Sequence, residues 1–107
     1  MKEVTGYEGG EVQIICPYHP EDSGKIKLLC KDECNRNNKP LIITQEGQTQ
    51  AATGRFSLHD SPTAAVFTVN ITGLEAEDSG KYWCGVDAVV GESITLIKNT
   101  QIFIGEL

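Results

Sequence analysis

Glu77-Asp78-Ser79-Gly80-Lys81-Tyr82-Trp83-Cys84-Gly85 is the stretch whose reading decides the fold. Tyr82, Cys84 and Val86 alternate with Lys81, Trp83 and Gly85, the two-residue period of a strand with one buried face. Cys84 therefore sits mid-strand facing inward, and Trp83 faces out. The same period recurs upstream. Val12, Ile14 and Cys16 alternate with Glu11, Gln13 and Ile15, bounded by Gly9-Gly10 and Pro17. Phe67, Val69 and Ile71 point inward, with Thr68, Asn70 and Thr72 outward. Residues 25–30, 41–44 and 55–58 are further short strands, the last ending before an Asp60-Ser61-Pro62 turn. A final strand places Ile102 and Ile104 inside. No segment keeps a helical period, and residues 75–79 allow one turn at most. Short strands at roughly 8–12-residue spacing, punctuated by Gly, Pro and Asn, predict an all-β sandwich or barrel.

The 107 residues suit one domain. Nine Lys and Arg against fifteen Asp and Glu leave a net charge of −6, which argues against nucleic-acid binding. Apolar residues at 39% and charged residues at 22% describe a globular chain, not a disordered one. No apolar run approaches the roughly 20 residues that span a bilayer. The opening Met1-Lys2-Glu3-Val4 lacks the apolar core of a signal peptide. Any signal peptide, stalk and transmembrane segment are therefore expected outside these residues.

Cys16, Cys30, Cys34 and Cys84 permit three pairings. Cys30-Lys31-Asp32-Glu33-Cys34 has a spacing compatible with structural zinc, but Cys16 and Cys84 are solitary and His19 and His59 form no ligand pair. A redox pair wants C-x-x-C at the start of a helix, and neither feature is here. The cysteines read as two structural disulfides formed in an oxidising compartment. Cys16 and Cys84 both face inward from separate strands, so a bridge between them pins two sheets together. Closing that long loop is worth roughly 4 kcal/mol. Tyr82, two residues before Cys84, stands where a tyrosine corner is expected, and Arg55 and Asp78 are placed to pair across the bottom. Together these features describe a variable-type immunoglobulin sandwich of two antiparallel sheets, with residues 41–44 as the kind of extra strand that the variable type adds.

Here the quoted stretch carries a resemblance. It is similar to the corresponding strand of the polymeric immunoglobulin receptor domains and the leukocyte mono-immunoglobulin-like receptors, a family of paired activating and inhibitory receptors. Gly9-Gly10-Glu11-Val12-Gln13-Ile14-Ile15-Cys16-Pro17-Tyr18, Lys27-Leu28-Leu29-Cys30 and Arg55-Phe56-Ser57-Leu58-His59-Asp60 resemble three more strands of that group. The resemblance implies a second, family-specific disulfide, Cys30 to Cys34, closing a tight loop. It departs from the pattern at Leu29, where such domains bury a tryptophan, and in the last strand, which lacks a Gly-x-Gly bulge. Strand parity then places Trp83 on or beside the second bridge, where it either packs or serves as a ligand contact. The parity that buries Leu29 also turns Lys27 inward and leaves Ile26 and Leu28 outside. A snorkelling Lys27 amine or a bulge would reconcile this.

No catalytic constellation emerges, and no cofactor is called for. His19 and His59 lie apart with no nucleophile motif, and Gly6-x-x-Gly9-Gly10 opens no helix that cradles phosphate. The carboxylates of Glu75, Glu77 and Asp78 read as a solvated turn. Binding therefore falls to loops. Tyr18, His19, Pro20, Glu21, Asp22 and Ser23 form one, Glu46-Gly47-Gln48 a second, and Asp87, Ala88, Val89, Val90 and Glu92 a third with an apolar tip. Asp22, Asp87 and Glu92 offer oxygens of the kind calcium takes. Residues 25–39 carry a local charge of +3, from Lys25, Lys27, Lys31, Arg36 and Lys39 against Asp32 and Glu33, suited to steering an acidic partner. Asn70-Ile71-Thr72 is a glycosylation sequon on the outer side of its strand.

The expectation is a single immunoglobulin domain, residues 1–107, on the extracellular face of the plasma membrane or secreted. Its partner is a protein ligand, either immunoglobulin or another cell-surface protein. The alternative, implied by the resemblance, is calcium-assisted recognition of anionic phospholipid headgroups.

Overall fold

The computed structural model describes residues 2–35, 38–88 and 93–106. Among the described residues nine strands run in order: β1 (Lys2–Tyr7), β2 (Val12–Pro17), β3 (Ile26–Lys31), β4 (Ile42–Ile43), β5 (Gln50–Thr53), β6 (Phe56–Ser61), β7 (Val66–Ile71), β8 (Gly80–Asp87) and β9 (Thr95–Gly105). The front sheet has the order β1-β9-β8-β3-β4 and the back sheet β2-β7-β6-β5. All pairs are antiparallel except β1 with β9, which run parallel. Gly6 of β1 lies tight against the core: a Cβ there would lie 2.6 Å from Leu74 Cδ1 and from Val12 Cγ1. This explains the glycine without any ligand.

Alternation decides the core. Val12, Ile14 and Cys16 of β2 meet Phe67, Val69 and Ile71 of β7, and across the interior lie Leu29, Tyr82, Cys84 and Ile102. Each large aliphatic or aromatic side chain buried in this way contributes roughly 1.5–3 kcal/mol. Leu29 occupies the core position in β3 with no exposure. Cys16 and Cys84 are joined through the core, Cα to Cα 6.0 Å, and link the two sheets across 68 positions of chain.

The base of the sandwich is tied by polar groups. Tyr82 donates its hydroxyl to the Asp78 carbonyl at 2.6 Å, completing a tyrosine corner. Arg55 donates from both terminal nitrogens to Asp78, at 2.8 and 2.9 Å, and also to the carbonyls of Thr72 and Gly73. Asp78 accepts in addition the Glu75 N–H at 2.8 Å, at the start of the 3-10 turn Ala76–Asp78. The Glu75–Asp78 carboxylates are thus partly a capping device, not only a solvated turn.

Two sequence readings need correction, and two features go beyond the sequence reading. The strand expected at residues 55–58 continues to Ser61, because Asp60 points into the interior and the turn shifts to Pro62 and its successors. β5 escaped notice because Gln50-Ala51-Ala52-Thr53 has no large apolar residue to mark a period, and it pairs with β6 in the back sheet. Ile26 and Leu28 are buried, not outside: β3 is covered on both faces, and Leu28 pairs with Gly85, where a Cβ would come within 3.1 Å of Leu28 Cδ1. The last strand bulges despite lacking Gly-x-Gly. Its register with β8 steps from Cys84–Lys98 to Gly85–Leu96, leaving Ile97 unpaired.

Candidate binding end and its support

Lys27 is the structural centre of the first loop. Its side chain is fully buried, so it does not snorkel to solvent. The ammonium has three donors, and it donates to Asp60 Oδ2 at 2.8 Å, to the Lys25 carbonyl at 2.7 Å and to the Ser23 carbonyl at 3.1 Å. It also lies 4.4 Å from the centre of the Tyr18 ring, a cation–π contact. Tyr18 donates its hydroxyl to the other Asp60 oxygen at 2.6 Å. The Lys27 N–H donates to Thr44 Oγ1 at 2.9 Å. Tyr18 just after β2, Lys27 of β3 and Asp60 of β6 thereby meet in one buried cluster whose ammonium also grips the Ser23 and Lys25 carbonyls.

This arrangement revises the role of Tyr18. It is only 7% exposed, its ring centre lies 6.3 Å from that of Phe67, and it supports the loop from inside. Its hydroxyl is pushed well above the ordinary tyrosine range, first by burial and then by the Asp60 carboxylate that accepts its proton. His19, Pro20 and Glu21 are exposed, with Pro20–Asp22 forming a 3-10 turn. Asp22 is ion-paired with Lys25 at 2.8 Å, which raises the Lys25 ammonium through that hydrogen bond. Ser23 is half-buried.

At the neighbouring strand end, Asp87 is 1% exposed and its Oδ1 accepts the Ser93 N–H at 3.1 Å. It holds the returning chain and is not presented at the surface. Ala88 is exposed. Val89, Val90 and Glu92 lie outside the described residues, as does Arg36. Among the described residues no three His, Cys, Asp or Glu side chains form a metal-holding group. The two described members of the calcium set, Asp22 and Asp87, both have partners within the chain. The Glu46-Gly47-Gln48 loop is a tight turn closed by the Gln48 N–H on the Gln45 carbonyl, with Gly47 at φ 79°.

On the front face Cys30 and Cys34 are joined, with Cα atoms 5.4 Å apart. Trp83 stands directly opposite Cys30 in the β3–β8 register. Its indole N–H donates to the Asp32 carbonyl at 3.1 Å, and the Lys81 ammonium lies 5.8 Å from its ring centre. The half-buried Trp83 therefore packs beside the bridge and keeps one side open. Asp32 holds a left-handed φ of 68°, clamped by its N–H on the Lys81 carbonyl at 2.8 Å. Within the basic run of residues 25–39, Lys27 is buried against Asp60, Lys25 is paired with Asp22, and Lys31 donates to the Glu77 carbonyl, while Lys39 is exposed. His59 and the sequon residue Asn70 lie on the outer side of the back sheet.

Sequence reasoning missed Asp60 and Thr44. The parity conflict at Lys27 was the available signal, since an inward lysine requires an inward carboxylate.

Two sheets pinned by Cys16–Cys84, a tyrosine corner and an added β4 define a variable-type immunoglobulin domain. The chain belongs to the immunoglobulin V-set domain family, which matches residues 1–104. It is 38% identical over 86 residues to the polymeric immunoglobulin receptor of Rattus norvegicus, covering 78% of this chain and 11% of that protein. It is 37% identical over 87 residues to CMRF35-like molecule 9 of Mus musculus, covering 80% of this chain and 26% of that one. The chain thus spans about a tenth of the length of the polymeric immunoglobulin receptors it matches. Among solved structures, the NK cell receptor Nkp44, described as a triggering partner in natural cytotoxicity, superposes with a TM-score of 0.76 at 29% identity, covering 99% of this chain and 97% of that one. The first immunoglobulin domain of the mouse polymeric immunoglobulin receptor shares the fold, with a TM-score of 0.74 at 24% identity over 99% of this chain and 91% of that one.

Proposed function

We propose that this domain is the ligand-recognition module of an immune receptor on the cell surface, and that it binds a protein without catalysing a reaction. The observation that carries the reading is the Lys27 brace. A fully buried ammonium donates to two carbonyls of the first loop, so His19, Pro20 and Glu21 are presented on a pre-formed support. Ordering a loop before binding removes part of the entropic cost of association. Trp83 on the front face adds an aromatic anchor of the type that dominates interface energetics. Two disulfides in a domain of this size fit an oxidising, extracellular setting.

The relatives named polymeric immunoglobulin receptor make polymeric immunoglobulin the first ligand to test. Nothing in the described site favours calcium-assisted phospholipid binding, because Asp22 is neutralised by Lys25 and Asp87 is buried. The oxidised domain is passed over immobilised polymeric immunoglobulin and over phosphatidylserine vesicles, each with calcium and with chelator. Saturable, chelator-insensitive binding to immunoglobulin, weakened several-fold by Glu21→Lys or Trp83→Ala, is the expected result. Binding to neither surface removes immunoglobulin as the ligand. Vesicle binding abolished by chelator replaces the protein-ligand reading with the lipid one.

A further inference from the structure

The outer face of the back sheet has a different chemical character from the front. Among the described residues, the exposed large apolar side chains Tyr7, Leu96 and Phe103 belong to front-sheet strands and Ile15 to the back sheet. In the register of the back sheet, Asn70 has Gln13 on one side and Ser57 on the other, and Ala52 follows Ser57. Small side chains at Ser57 and Ala52 leave a shallow depression that runs from Asn70 to Gln50 and His59. Such a face lacks the aromatic anchors of a protein interface and offers hydrogen-bonding groups around a vacant strip. Asn70 is half-buried at the end of this strip and begins the sequon Asn70-Ile71-Thr72, whose threonine is exposed.

We propose that Asn70 carries an N-linked glycan whose first sugars lie in this depression over Ser57 and Ala52, with Gln50 and His59 as hydrogen-bonding partners. In the transfer, Asn70 Nδ2 bonds to C1 of the first N-acetylglucosamine of a lipid diphosphate-linked oligosaccharide. The C1–O bond to the diphosphate breaks, the diphosphate leaves with the bonding pair, and the proton lost by the amide is taken up by it. No oxidant or reductant is required. The seat has a second consequence. β5 is the edge of its sheet and is short and mostly exposed. Sugars lying across it cover an edge that would otherwise accept a foreign strand. The glycan also closes the back sheet to partners and leaves the front sheet and loop end free.

The proposal rests on the extracellular placement given above and is independent of which ligand binds. The test secretes the 107-residue chain from eukaryotic cells behind a cleavable leader. Peptide mass spectrometry follows, before and after an amidase that removes N-glycans and converts the carrier asparagine to aspartate. The expected result is Asp at position 70 after treatment of the wild type and of Thr72→Ser, with complete loss of the glycan in Asn70→Gln and Thr72→Ala. Amide exchange across Gln50–Thr53 is expected to be several-fold slower with the glycan than after its removal. Unmodified Asn70 in secreted, disulfide-bonded protein overturns the site. A glycan at Asn70 with unchanged exchange in β5 overturns its seat in the depression. Retention of the chain inside the cell with reduced cysteines overturns the extracellular placement itself.

Discussion

Replacing Lys27 by methionine separates the stability of this domain from the order of its first loop, the proposed binding loop. The ammonium uses all three donors, on Asp60, Lys25 and Ser23, with its side chain fully buried and that of Asp60 3% exposed. Methionine keeps the length of the side chain but leaves a buried carboxylate with only the Tyr18 hydroxyl donating to it. Removing one partner of such a pair costs about 3–5 kcal/mol. A domain's whole stability is about 5–15 kcal/mol, so the loss is large. With an m-value near 2 kcal/mol/M, a loss of about 4 kcal/mol lowers the urea midpoint by about 2 M. The double variant Lys27→Met/Asp60→Leu removes both charges and is expected to recover to within about 1 kcal/mol of wild type, because apolar replacement of a buried pair is often neutral. The loop carbonyls of Ser23 and Lys25 remain ungripped in that variant, so ligand affinity stays reduced although stability returns. Urea denaturation with both disulfides intact, followed by binding, reads the two effects. A Lys27→Met variant that loses less than about 1 kcal/mol would refute the assignment of this pair as the support of the loop end.

The other predictions concern the base, the glycine and the second bridge. Asp78 is held below the ordinary carboxylate range, chiefly by the hydrogen bonds from Arg55 and with help from the Glu75 N–H. Its folded value lies below the unfolded one, so its contribution is complete above about pH 4 and is lost as pH falls below that. Acid denaturation of wild type and Asp78→Asn, compared by circular dichroism, is expected to show a shallower acid loss in the variant. Burial, followed by the charge of Asp78, pushes the Tyr82 hydroxyl up to about 12, and burial and Asp60 raise that of Tyr18. Both groups are raised, so stability is intact below about pH 10 and declines as pH rises beyond it; alkaline titration of Tyr82→Phe should show a smaller decline. Gly6→Ala forces a Cβ within 2.6 Å of Leu74 and Val12 and is expected to cost about 1–3 kcal/mol, read as a lowered thermal midpoint. Cys30→Ala/Cys34→Ala opens a loop of only 4 positions' separation and is expected to cost about 2 kcal/mol on chain entropy. The same variant should increase quenching of Trp83 fluorescence by acrylamide.

What the sequence by itself determined is local. A two-residue period at Val12–Cys16, Phe67–Ile71 and Tyr82–Val86 dictates which side chains face inward, because pleating turns each residue opposite to the last. Tyr82 and Asp78 are four positions apart, so their corner is a short-range event. Cys16 and Cys84, both turned inward, indicated the bridge between the sheets. Only the tertiary structure decided the placement of β5 in the back sheet, since Gln50-Ala51-Ala52-Thr53 carries no periodic signal and its sheet is chosen by pairing with β6. It decided likewise that Tyr18 and Asp87 are buried and support the loop end from within. The decisive case is Lys27. Its parity indicates a buried charge, yet its partner stands 33 positions away on β6, where the sequence pattern places a turn at Asp60-Ser61-Pro62. Alternation is a property of one strand alone, whereas compensating a buried ammonium requires oxygens from every element that surrounds it, and only the packed sandwich brings those together.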